Sequence, residues 1–282
     1  MKKKFLHLAA FFLMVSFLSC QNKQEKPAKE TPPISSDQAQ LVWGDEFNTD
    51  GLPNPQLWDY DRGDGCGKPA GCGWGNQERQ YYTYQESKNA RIEGGKLIIE
   101  AHQQKIGQAE YSSARLVSKP NGVIKYGRVE VRAKLPTGKG TWPAIWLLPV
   151  DNQFGGWPRS GEIDIMEHVG YNPDSIYGTV HTEAYNHMLG TQKGGEIQVS
   201  SAESDFHVYA LDWQEDKMEF LVDDKTYFTY FNDGSGPEAW PFDQDFYLIL
   251  NIAVGGSWGG AKGIDEDIWP QRMEVDYVRY YQ

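Results

Sequence analysis

The residues best able to do chemistry are three carboxylates in one otherwise apolar run, Gly161-Glu162-Ile163-Asp164-Ile165-Met166-Glu167-His168. Side chains alternate along a regular strand, so Glu162 and Asp164 share a face and Glu167 would point away from it. One extra residue around Ile165 and Met166, a β-bulge, returns Glu167 to the side of the other two. Two carboxyl groups on one face are what glycoside hydrolysis needs. One attacks, or activates water, at the anomeric carbon, and the other donates a proton to the leaving oxygen. Like-charge repulsion raises the pKa of one acid, which gives Glu162 ionised, Glu167 protonated and Asp164 between them. A carboxyl spacing of about 5 Å would mean retention through a covalent glycosyl-enzyme, and about 6.5 to 9.5 Å would admit an inverting water. The alternative is a solvated strand edge with scattered acids.

The flanks favour chemistry. Thr141-Trp142-Pro143-Ala144-Ile145-Trp146-Leu147-Leu148-Pro149 precedes the acidic run, and Trp258 follows Asn251-Ile252-Ala253-Val254-Gly255-Gly256-Ser257. Indole faces stack on the C–H faces of sugar rings while acids and amides bond the hydroxyls, so acids among tryptophans suit a carbohydrate cleft. A single Trp is more often core than platform; here the association with the acids carries the argument.

Strands must position these groups. Alternation recurs in 128–135, 218–223 and 273–280, separated by pairs suited to tight turns, Gly94-Gly95, Asn121-Gly122 and Asp223-Asp224. No amphipathic helical stretch exceeds about two turns, and no βαβ rhythm or tandem repeat is visible. An all-β, two-sheet antiparallel sandwich is the first expectation, with a closed barrel or propeller behind it. The 282 residues include 10 Trp, 16 Tyr and 12 Phe, enough aromatic bulk for a sizeable core. A net charge of −12 argues against nucleic acid as a partner.

The N-terminus reads as an address. Lys2, Lys3 and Lys4 precede an apolar run, Phe5 to Leu18, too short to span a bilayer, and Ser19-Cys20 resembles a bacterial lipobox. Residues 1–19 are therefore expected to be a signal peptide, Cys20 the lipidated residue, and 20–40 a flexible tether lacking aromatics. That predicts export across the inner membrane, outer-membrane or cell-surface anchoring, and membrane contact through the anchor alone. A single domain then occupies 41–282. An oxidising compartment would allow Cys66 and Cys72 to pair; the alternative is two free thiols in a glycine-rich loop.

Glu162-Ile163-Asp164-Ile165-Met166-Glu167 resembles the active-site signature of glycoside hydrolase family 16, in the bulged form of laminarinases. The resemblance extends over nearly the whole domain. It includes Trp43-Gly44-Asp45-Glu46-Phe47, 74–83, Ser113-Ala114-Arg115-Leu116, 142–149, 206–213, 250–256 and 273–281. It implies a β-jelly-roll whose concave sheet carries an open groove, and a retaining endo-mechanism on β-1,3- or mixed-linkage β-1,3/1,4-glucan. Glu162 would be the nucleophile, Glu167 the general acid/base and Asp164 the residue tuning the pair. Asn76, Glu78, Arg115, Trp142, Trp146, His181 and Trp258 would contact sugar. For His181 the alternative is a hydrogen-bonded structural histidine, and Arg115 could equally hold a loop acid.

The resemblance also implies a structural calcium on the convex side, held by Glu46, the Gly94 carbonyl and Asp276. Hard oxygen ligands suit that ion. No cofactor for catalysis and a monomeric state are expected. The chain departs from the laminarinase pattern at Arg79, in the Cys66 to Cys72 loop and at Ser257-Trp258-Gly259-Gly260. Two rival readings stand beside the glucanase: a same-family hydrolase of agarose, porphyran or carrageenan, and a non-catalytic glucan-binding module. Sulfated galactans call for a basic groove, and a binding module generally lacks both catalytic glutamates.

Overall fold

β-branched and aromatic residues alternating with polar ones produce two large sheets packed face to face. The computed structural model describes residues 39–119 and 121–282; the expected signal peptide, Cys20 and most of the expected tether lie outside the described residues. The first sheet runs in the order β16 (Lys225–Phe231), β15 (Lys217–Val222), β14 (His207–Trp213), β9 (Gly127–Lys134), β18 (Gln271–Tyr281), β5 (Leu97–Ala101) and β4 (Ala90–Ile92). Its eighth strand, β1 (Leu41–Asp45), pairs with the C-terminal part of β18. The second sheet runs β13 (Lys193–Gln198), β12 (Ser175–His181), β11 (Glu162–Glu167), β10 (Thr141–Pro149), β17 (Phe246–Val254), β7 (Arg115–Val117) and β2 (Asp59–Asp61). There β8 (Val123–Ile124) adds to β17. A short parallel pair, β3 (Gln80–Tyr82) with β6 (Tyr111–Ser113), completes the strands, and one 3-10 turn at Cys72–Gly75 is the helical element among the described residues.

Both large sheets are antiparallel, and their strand order jumps along the chain, as in a jelly roll. The core lies between them. Ile163, Ile165 and Met166 from the acid-bearing strand pack with Leu248 and Leu250 of β17 and with Val129, Val131, Leu211, Phe220 and Val275 of the opposite sheet, all fully buried. Each such side chain contributes roughly 1.5 to 3 kcal/mol.

The turn chemistry acts where two strands meet end to end. Gly94 and Gly95 take φ of 59° and 73° between β4 and β5, and Asp223 and Asp224 take 50° and 62° between β15 and β16. The Asn121-Gly122 expectation fails for a physical reason. β7 and β8 both hydrogen-bond to β17 rather than to each other, so the link is a loop along one edge and not a hairpin. Period two is also interrupted in β18, where the register shifts between Val275 and Tyr277 and leaves Asp276 at a bulge.

Candidate active site

The acid-bearing strand starts abruptly. Gly161, at φ 86°, turns into β11 against Phe242, and a Cβ there would lie 2.8 Å from that ring. Glu162 then stands opposite His181, Asp164 opposite Thr179 and Glu167 opposite Tyr177, with the register slipping between Asp164 and Glu167. On the other side the slip falls between Ile145 and Trp146 of β10. The bulge therefore sits at Ile165 and Met166, whose side chains are buried in the core, while Glu162 and Glu167 stay partly open.

Each glutamate has its own indole donor. Trp142 Nε1 donates to Glu167 Oε1 at 3.0 Å, and Trp157 donates to Glu162. His181 Nε2 lies 3.4 Å from Asp164 Oδ2 and 3.8 Å from Glu162 Oε1. Burial pushes the carboxyls of Glu162 and Glu167 up to about 8, and the charge of Asp164 adds to both. Burial raises Asp164 to about 8 as well. His181 and the indole donors oppose the rise at the glutamates. Three charges so close and so poorly solvated do not coexist near neutrality, so at least one proton is held by the trio.

The expected sugar-contacting residues fall into two groups beside the acids. Trp258 packs edge-on against Trp142 and Tyr177, with ring centroids 5.5 and 5.1 Å apart, and walls the Glu167 end. Farther across the sheet, Trp146 Nε1 donates to Asn251 Oδ1 at 2.7 Å, and Asn251 Nδ2 donates to the Tyr82 hydroxyl. Glu78 accepts from Asn76 Nδ2 at 3.3 Å and from Gln80 Nε2 at 2.6 Å. Its pKa is raised by burial, against those hydrogen bonds and the nearby Arg115 charge. Arg115 is clamped between the faces of Trp74 and Trp146, 4.7 and 4.6 Å from the ring centroids, with its Nε 3.0 Å from Asp61 Oδ2. Its charge is thus largely committed to protein partners, and the acid it holds is not on a loop but on the neighbouring strand β2, directly opposite it.

The Cys66 and Cys72 side chains are joined as a disulfide. The bridge closes the loop that carries Trp74, whose indole donates to the Gly63 carbonyl, and leads into Asn76.

Around the expected calcium ligands, both Glu46 oxygens accept from Arg279 at 2.7 and 2.9 Å, Asp276 Oδ2 accepts from Arg132 at 2.5 Å, and Gly94 lies in the turn between β4 and β5. These residues also belong to the opposite sheet and contribute nothing to the acid face. Glu162, Asp164 and His181 do offer three ligand atoms within 4.8 Å of one another, but two of them are the acids that hydrolysis would use.

The profile of glycosyl hydrolases family 16 matches residues 77–279, most of the described chain and all of the acid-bearing sheet from β10 to β17. The chain belongs to that family. A β-glucanase of Rhodothermus marinus is 50% identical over 99% of this chain and 96% of its own length. The crystal structure of the laminarinase from Rhodothermus marinus superposes with a TM-score of 0.83 at 52% identity, covering 86% of this chain and 97% of that one. A mutant of SCLam, a non-specific endo-β-1,3(4)-glucanase crystallised with 1,3-β-D-cellotriosyl-glucose, superposes with a TM-score of 0.83 at 45% identity, covering 89% of this chain and 98% of that one.

Within this family 16 site, sequence reasoning missed Trp157, Tyr177, Tyr82 and Asn251. Asn251 and Tyr82 lie inside the family-like runs 250–256 and 74–83, but nothing in those runs gives either residue a role of its own. Trp157 lies in Phe154-Gly155-Gly156-Trp157-Pro158, close enough to Glu162 in the chain for a returning loop to be suspected. Nothing in spacing marks Tyr177, because its proximity to Trp258 and Glu167 depends on strand register.

Proposed function

We propose that the protein is a retaining endo-hydrolase of β-1,3-glucan or mixed-linkage β-1,3/1,4-glucan. The observation that carries the reading is the bulged strand, which sets Glu162 and Glu167 on one face with Asp164 between them and a separate indole donor on each.

In the first step the Glu162 carboxylate attacks the anomeric carbon. The bond to the leaving oxygen breaks, and that oxygen takes the proton of Glu167. Trp142 occupies Glu167 Oε1, which leaves Oε2 to carry that proton. In the second step Glu167 removes a proton from water, the water oxygen attacks the anomeric carbon, and Glu162 departs as carboxylate. Two displacements restore the β configuration. Asp164 acts through its charge, keeping a proton on the trio in the resting site.

A neutral glucan suits the groove better than a sulfated galactan, because Arg115 is already held by Asp61, Trp74 and Trp146. The test is product release from laminarin, mixed-linkage β-glucan, agarose and κ-carrageenan by wild type and Glu162→Ser. Short oligosaccharides from the two glucans, with wild type only, are expected. Release from agarose or carrageenan alone would overturn the substrate, and binding without release by both proteins would favour a binding module.

We further propose that the enzyme reaches its polymer as a lipoprotein. Support comes from the lysines at 2 to 4, the apolar run to Leu18 and the Ser19-Cys20 junction. Cys20→Ala should move the protein from the membrane to the soluble fraction and abolish incorporation of labelled palmitate.

A further inference from the structure

The bulge in β11 interrupts the register on both of its sides. On the β10 side Asp164 stands opposite Trp146 and Met166 opposite Ile145; on the β12 side Asp164 stands opposite Thr179 and Glu167 opposite Tyr177. Ile165 is thus skipped by the register of both neighbours, and it is fully buried. A buried carbonyl needs a donor from somewhere. One donor reaches it from the opposite sheet: the Tyr227 hydroxyl, on β16, donates to the Ile165 carbonyl at 3.4 Å.

The phenol reaches that carbonyl through a gap made by a missing side chain. Gly178 is the β12 residue beside the bulge, and a Cβ there would lie 2.4 Å from Tyr227 Oη and 2.9 Å from Phe220 Cδ1. Burial, with the charges of Glu167 and Asp164 adding, raises the Tyr227 hydroxyl pKa, so the group stays a donor through the working pH range. A catalytic group needs its aim held within about 0.5 Å and 10 to 20°. At Ile165, skipped by both registers, the phenol adds a support from the opposite sheet.

We propose that Tyr227 is a positioning residue for the general acid/base, its hydroxyl bracing the Ile165 carbonyl through the gap at Gly178 and so fixing the bulge that aims Glu167. This rests on the hydrolase reading, with Glu167 as proton donor. A misaimed acid impairs departure of a sugar alcohol far more than departure of a group that leaves without a proton. The experiment therefore compares Tyr227→Phe and Gly178→Ala with wild type on two substrates. One is laminarin; the other is a dinitrophenyl β-laminaribioside, read as the pre-steady-state burst of dinitrophenolate.

The expected result for Tyr227→Phe is a roughly 10-fold lower kcat on laminarin. KM and the burst rate should stay within about two-fold of wild type, and Gly178→Ala should show the same asymmetry. Thermal melts identify the folded variants, and if one melts below the assay temperature the other carries the comparison. Equal losses on both substrates, or no loss on laminarin, would overturn the proposal while leaving an active wild type and its hydrolase reading intact. A wild type inactive on laminarin would remove that reading and this proposal with it.

Discussion

At the scale of single residues, the site trades stability for reactivity. The Glu162, Asp164 and Glu167 carboxyls have folded pKa values raised to about 8 by burial, with the charge of Asp164 adding at the two glutamates. A raised carboxyl pKa means the folded state binds protons more tightly than the unfolded chain. That contribution is complete at acid pH and is lost as pH rises toward 8. Glu162→Gln should therefore melt above wild type at pH about 8, by a few degrees if the relief is on the order of 1 to 3 kcal/mol. The difference should shrink toward zero near pH 4.5, the two melting curves being the check. Trp142→Phe tests the proton donor. The indole hydrogen bond holds the Glu167 pKa down, so its loss should move the alkaline limb of kcat/KM upward while kcat falls roughly 10-fold. The three acids were legible in sequence because carboxylates in a strand-forming apolar run have few other uses. Trp157 and Tyr227 were not, since an aromatic residue that donates one hydrogen bond looks like any core aromatic until its neighbours are known.

At the scale of elements, the bulge and the disulfide loop do the positioning. Deleting Met166 would restore regular pairing of β11 while keeping Glu167 on the face of Glu162 and Asp164, because the three acids would then alternate with Ile163 and Ile165. Hydrolysis should survive at a lower rate, and loss of the buried Met166 side chain should lower stability by about 2 to 5 kcal/mol, measured by urea unfolding. The Cys66–Cys72 bridge acts on the other flank through Trp74, Asn76 and the Arg115 clamp. Replacing both cysteines by serine should raise KM for glucan severalfold with little change in kcat, and lower stability by about 2 kcal/mol from the lost loop constraint. Strands such as 128–135 and 273–280 could be read from alternation, and the structure places them at 127–134 and 271–281. The bulge at Asp276 and the edge loop at Asn121-Gly122 could not, because both depend on which strand lies alongside.

At the scale of the whole molecule, the two ends close the sandwich. Gln40 and Gln282 exchange backbone hydrogen bonds of 2.7 and 3.0 Å, next to the pairing of β1 with β18. The all-β class followed from alternation and turns, whereas the strand order did not, since alternation is blind to partners far along the chain. A net charge of −12 with a groove cation already neutralised predicts recognition without long-range attraction. The kcat/KM on laminarin should change less than about two-fold between low salt and roughly 0.5 M NaCl; a steep fall would point to a charged polymer. The account as a whole turns on two displacements at Glu162. Its most direct test is proton NMR of the reducing ends released from laminarin in the first minutes, before mutarotation. The β anomer should appear first and the α anomer grow in later; α appearing first would mean a single displacement by water and would contradict the covalent role given to Glu162.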